Sequence, residues 1–225
     1  MKNVNTMNAN GACGGGRRAQ SALRIASPAS RPRYSAQRPS GICVAIGLAA
    51  VLFALPKAYA APIATWDLTG ATSVATWAAE DWNANLDSTN KITRGSGAGA
   101  SAGANSFRTT GFGNNGIGTG NTDFFQVTLS AASGYTLSLG IVTGRFAGTS
   151  SYMVSPGVTN QWAYSTDGTT FTLIGSSDVS TSTTRTWDFS GVSALQNVVA
   201  STTIYLRYYA SGQTTTGGWG FYSSA

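Results

Sequence analysis

Eight carboxylates, running from Asp67 to Asp188, are the groups in this 225-residue chain best suited to acid–base work, because the sequence holds no histidine. Without an imidazole, Ser-His-Asp triads, zinc hydrolase centres and most other hydrolytic sites are excluded. A carboxylate pair can still cleave a glycosidic bond. Glu80 is the only glutamate, however, and Asp67, Asp167 and Asp188 fall at strand edges or turns. Calcium needs only oxygen ligands, and Asp123 and Asp178 are its loop-edge candidates, but no Asp-x-Asp-x-Asp run accompanies them and a lone loop aspartate is more simply a solvated turn residue.

Aromatic rings offer a second chemistry, stacking on sugar faces. Trp77 and Trp82 fall in a loop-like segment and Tyr152 in "GTSSYMVSPG", so these three are the ligand-binding candidates. The simpler reading of the same residues is that they cap the ends of a hydrophobic core. Arg207 between Tyr205 and Tyr209 resembles a ligand clamp, although a cross-strand cation–π ladder explains it without a ligand.

All of these residues lie downstream of an apparent export signal. Seven cations and no acid precede residue 42; "ICVAIGLAAVLFAL" (42–55) is then apolar for 14 residues, below the ~20 needed to span a bilayer. Pro56 ends that run, and Ala58-Tyr59-Ala60 supplies a small-x-small triplet, which sets the expected cut between Ala60 and Ala61. Cys43 opens the apolar core rather than following it, which argues against a lipoprotein. Arg17-Arg18 stands too far from the core for a twin-arginine signal, and translation could start downstream of Met1, at Met7 for example.

The cut changes the physical chemistry of the molecule. Eight of the 14 cations belong to the leader and all 8 acids to the remainder, so the formal charge falls from +6 to about −2. Nucleic-acid and anionic-membrane partners inferred from the whole-chain charge are therefore rejected. Both cysteines, Cys13 and Cys43, also leave with the leader, so the exported part expects no disulfide and no cysteine-bound metal.

Residues 61–225 then make one domain, rich in Ser, Thr, Gly and aromatics, a composition that favours strands. "DFFQVTLS" alternates Phe125, Val127 and Leu129 with polar residues. "YTLSLGI", "TRTWDFS" and "TTIYLRYYA" repeat the pattern. Asp167-Gly168 predicts a tight hairpin turn. About nine or ten short strands predict a two-sheet antiparallel β-sandwich or jelly roll. The one helix candidate, "SVATWAAEDWNANL" (73–86), reads as a short helix or an ordered loop, and "GSGAGASAGANS" (95–106) as a long surface loop. "GFGNNG" (111–116) matches GxGxxG but leads into a strand rather than a helix, so nucleotide binding is not expected.

The succession "IATWDLTG", "NLDSTNKITRGSG", "NSFRTTGF", "TDFFQVTLSAASGYTLSL", "YSTDGTTFTLIG" and "IYLRYYASGQTTTGGWGF", with Thr93-Arg94-Gly95-Ser96-Gly97, Asp123-Phe124-Phe125 with the later Gly134-Tyr135-Thr136-Leu137, and Leu206-Arg207-Tyr208 as its most specific parts, resembles a family of secreted bacterial β-sandwich proteins that commonly carry PEP-CTERM sorting tails. The resemblance spans residues 62–221 and brings no catalytic signature. That family's last strand usually runs on through an Asp-Asn pair into the sorting tail, whereas this sequence stops at "WGFYSSA", so the final strand is expected to be cut short.

The functional expectation is a secreted or cell-surface protein that is not an enzyme and has no cofactor, and that binds extracellular polysaccharide or takes part in matrix assembly. A coat protein with no small ligand and a carboxylate-dependent polysaccharide hydrolase or lyase are the alternatives.

Overall fold

The computed structural model describes residues 5–8, 61–87, 90–150, 152, 157–181, 183–212 and 216–223. The expected leader core lies outside them. Of the expected cleavage junction only Ala61 is described, exposed just ahead of a strand.

The regular secondary structure of the described residues is almost all β, in chain order β1 (Asn5–Asn8), β2 (Pro62–Trp66), β3 (Trp77–Ala78), β4 (Asp81–Trp82), β5 (Lys91–Arg94), β6 (Ser106–Thr109), β7 (Phe124–Leu129), β8 (Thr136–Leu137), β9 (Ile141–Gly148), β10 (Val158–Ser165), β11 (Thr172–Leu173), β12 (Asp178–Ser180), β13 (Thr184–Asp188), β14 (Val198–Val199), β15 (Ile204–Ser211) and β16 (Trp219–Tyr222). The first sheet runs β4-β2-β1-β9-β16-β6 with β13 also on β9. The second runs β11-β10-β15-β7-β5-β3 with β12 also on β10, and β14 and β8 form a separate pair. Each of these pairings is antiparallel.

Period-two alternation explains why the sheets face each other. In β7 the inward Phe125, Val127 and Leu129 are buried and the residues between them half-exposed; in β15 Ile204, Leu206 and Tyr208 do the same. From the first sheet, Phe146 stacks on Tyr208 of the second with ring centroids 5.1 Å apart, and on Trp219 at 5.7 Å. The Tyr208 hydroxyl, fully buried, accepts the Trp219 indole N–H at 3.0 Å, and burial drives the phenol's pKa upward. Each buried ring of this kind contributes about 1.5–3 kcal/mol of transfer free energy.

Several local expectations change. Residues 73–86 hold no helix: Trp77–Ala78 pairs with β5 and Asp81–Trp82 with β2, so the segment crosses from the edge of one sheet to the edge of the other. Its neighbours supply open strand edges, and pairing with them outweighs a weak helical pattern. "YTLSLGI" is not one strand, because β8 ends at Leu137 and β9 begins at Ile141. Leu139 N–H is drawn aside to Leu195 O, and Leu195 lies in a short 3-10 turn, Ser193–Leu195. The Asp167-Gly168 hairpin exists with Gly168 at φ +75°, but Ala163 pairs with Leu173 and Tyr164 with Thr172, so its loop is longer than a tight turn. The Asp167 carboxylate holds that loop open by accepting the N–H groups of Thr169 and Thr170, both at 2.8 Å.

The glycine-rich 95–106 stretch is folded against the sheet rather than looping freely. Gly97 N–H bonds Thr122 O, Ser101 N–H bonds Arg108 O, and Ala98 is fully buried. A Cβ at Gly95 would collide with the Thr122 carbonyl and the Phe124 ring, so the backbone approaches this closely only with glycine there.

Candidate functional site

The outward face of the second sheet carries a cation, aromatic rings and an amide in mutual contact. Its register follows from the ladders: Thr93 opposes Gln126, Gln126 opposes Arg207, and Arg207 opposes Ala163, while the adjoining row carries Thr128, Tyr205 and Ser165. These side chains share one face because each stands two residues from the next along its strand. Lys91, exposed, lies two residues before Thr93 on the same side.

Arg207 is the centre of this face. Its guanidinium carbon lies 3.8 Å from the Phe124 ring centroid and 3.5 Å from that of Phe171, so the planar cation is held between two phenyl faces. Arg207 Nε donates to Gln126 Oε1 at 2.9 Å, and Nη1 lies 3.4 Å from the Tyr209 hydroxyl, which donates to Thr119 O at 3.1 Å. The cation–π reading is thus right in kind but wrong in partners: the rings are Phe124 and Phe171, not Tyr205 and Tyr209. Phe171 was not legible as a partner because it arrives from the long hairpin loop rather than from a neighbouring strand. Phe124 could have been found, since it precedes the inward Phe125 in the period-two pattern.

This arrangement leaves the half-exposed Arg207 cation, the Tyr205 phenol and the Gln126 amide on one face, with Tyr209 buried behind them, a set suited to hydroxyl or carboxylate groups of a polymer. Ser165 at its margin donates to Asp167 Oδ1 at 2.8 Å. Hydrogen bonds from Thr170, Thr169 and Ser165 hold the Asp167 carboxyl far below the usual range, and the same bonds tie down the hairpin loop that carries Phe171.

The aromatic candidates from the sequence lie elsewhere. Trp77 is half-buried against the core, and its indole N–H donates to Glu80 Oε1, whose other oxygen accepts Asp67 N–H at 2.9 Å. Trp82, 46% exposed, opposes Ala64 at the edge of the first sheet. The two tryptophans thus border the same crossover, on different sheets. Tyr152 is fully buried, its hydroxyl donating to Phe112 O, with its ring where a Cβ on residue 212 would have to sit. It braces the end of the core, as the simpler reading had it, and presents no ring face to solvent.

The calcium candidates also separate. Asp178 pairs with Arg185 at 3.3 Å. Asp123 is buried and its carboxylate accepts Gly113 N–H at 3.4 Å; burial raises its pKa, and its charge adds to the effect of burial in raising that of Tyr152. Among the described residues no group of three or more acidic, histidine or cysteine side chains converges on a point. A half-buried cation lies on the inner side of β5: Arg94 stacks over Phe107 at 3.7 Å, donates to Val74 O at 2.9 Å, and has its pKa pulled down to about 10 by burial. No family model matches the chain, and neither does any curated protein or solved structure at a significant level.

Proposed function

We propose that this protein is a non-catalytic, exported β-sandwich of jelly-roll type that binds extracellular polysaccharide through the outward face of its second sheet. The kinship to secreted proteins with PEP-CTERM tails, the leader ending at Ala60 and a cell-surface location belong to the same proposal. The observation that carries it is the guanidinium of Arg207 clamped between Phe124 and Phe171 and tied to Gln126, beside half-exposed Tyr205 and exposed Lys91. Ordering these side chains in advance lowers the entropic cost of binding a flexible polymer. A planar cation flanked by rings and hydroxyls matches sugar hydroxyls and uronate carboxylates alike.

Affinity electrophoresis of the exported chain through gels containing neutral and uronate-bearing polysaccharides, with and without calcium, tests the reading. The expected outcome is retardation by at least one polymer, lost in Tyr205→Ala and weakened in Arg207→Gln. No retardation of a folded chain by any of them would leave the structural coat reading in its place. Retardation lost in Trp82→Ala but not in the sheet-face variants would move the site to the tryptophan edge.

A further inference from the structure

The first sheet contains a strand position whose occupant changes along its length. On one edge of β9, β13 pairs from Asp188↔Ile141 to Thr184↔Arg145, and Phe146 N–H continues that edge to Thr183 O. The opposite edge carries two different strands. β16 takes the upper part, with Trp219↔Gly148, Gly220↔Ala147 and Phe221↔Phe146. β1 takes the lower part, with Thr6↔Thr143 and Met7↔Val142, and its other edge pairs with β2 from Asn5↔Trp66 to Asn8↔Pro62.

β1 and β16 both run antiparallel to β9, so they point the same way along the same edge. Carrying the β16 register three and four positions past Phe221↔Phe146 reaches Thr143 and Val142. Those are the residues that positions 6 and 7 of β1 oppose. Asn5–Asn8 therefore stands in the path that β16 would follow if it ran straight on. The lane's pattern is also fixed by its walls: position 7 lies between buried Ala64 and Val142, and position 6 between half-exposed Thr65 and Thr143. An apolar residue is required at the first and a polar one at the second. Ser224 and Ala225, next in the chain after Ser223, supply polar then apolar in that order.

We propose that the lane between β2 and β9 is a strand-acceptor site that Asn5–Asn8 fills in the unprocessed chain, and that removal of the leader hands it to Ser224–Ala225 as the continuation of β16. The inference rests on the reading that the leader is cut after Ala60. Unfilled, the lane would leave β2 with β4 as its one strand neighbour among the described residues and would expose backbone N–H and C=O groups on two facing edges, the situation that strand addition relieves. Only one backbone fits between the two edges, so the two occupants exclude each other.

Cysteine pairs test the handover, and they are clean because Cys13 and Cys43 leave with the leader. The full-length gene carrying Thr143→Cys and Ser224→Cys is expressed with export, and the product is read by intact mass and thiol alkylation. The expected product begins at Ala61, is monomeric and has no reactive thiol. Free thiols in a correctly cleaved chain overturn the handover, and disulfide-linked dimers overturn it in favour of a strand from a second copy. A mass that retains the leader overturns the processing reading and the handover with it. In the unprocessed chain, with both native cysteines changed to Ser, Thr6→Cys and Thr143→Cys are expected to cross-link, and failure to do so overturns the leader's occupancy. If the paired variants do not fold, amide exchange on the cysteine-free exported chain decides: deleting Ser224–Ala225 is expected to speed exchange in residues 62–66 and 142–143 about tenfold or more, and an unchanged rate overturns the proposal.

Discussion

The two sheets are built in different ways. In the second, β10, β15 and β7 pair through long uninterrupted registers, Thr159↔Ser211 to Ser165↔Tyr205 and Ile204↔Leu129 to Tyr209↔Phe124, so its outward face is a continuous grid. The first is assembled from short pieces around β9, and its central position is shared by β1 and β16. The difference teaches where each proposed function can reside. A binding platform needs side chains fixed by regular neighbours, which the second sheet supplies; an exchangeable strand needs a short, weakly committed ladder, which the first supplies.

Substitutions can break this comparison, beginning with the core that joins the sheets. Phe146→Ala removes a fully buried ring that stacks on both Tyr208 and Trp219, and it is expected to cost about 3–5 kcal/mol in chemical denaturation. A loss below about 1 kcal/mol would mean the sheets are not held together through this cluster. Gly95→Ala, which drives a Cβ into the Thr122 carbonyl beside β5 and β7, is expected to lower stability by about 1–3 kcal/mol in the same assay.

Two aspartates sharpen the comparison through opposite responses to pH. The folded pKa of Asp123 lies above its unfolded value because burial penalises the charge, so this group destabilises the native state once pH rises through that raised value. Asp123→Asn is expected to stabilise the protein at pH 7, with the gain shrinking toward pH 3 in paired denaturation curves. The folded pKa of Asp167 is depressed by hydrogen bonds from Thr170, Thr169 and Ser165, so its contribution is present above the unfolded pKa, near 4, and is lost as pH falls below it. Asp167→Asn is expected to flatten the acid limb of the stability profile, and an unchanged limb would contradict the role given to its loop bonds. The smallest effect belongs to the Asp178–Arg185 pair, more than a third exposed on both sides, where Asp178→Asn should change stability by less than about 1 kcal/mol.

The second sheet was largely legible in the sequence because Phe125, Val127 and Leu129, and Ile204, Leu206 and Tyr208, carry their partners' constraint as simple alternation. The first sheet was legible only in part: "TRTWDFS" gave β13 by the same alternation, but Trp82 sits in a strand of two residues, too short to show a period, and the place of β1 depends on edges contributed by residues far away in sequence. Trp77, in a two-residue strand at the edge of the second sheet, was hidden for the same reason as Trp82. At the site, Arg207 stood out by type, but Phe171 could not be placed beside it, because its position is set by the Asp167 loop rather than by spacing along a strand. Tyr152 misled for a related reason: a polar, glycine-flanked context reads as surface, whereas its ring fills the space beside Gly212.

Amide exchange by mass spectrometry on residues 61–225, with and without each polysaccharide proposed as a ligand, tests the central claim most directly. The account predicts added protection in the strands that form the outward face, residues 91–94, 124–129 and 204–209, with none in 77–82. Protection confined to 77–82, or no change anywhere at saturating polymer, would contradict it.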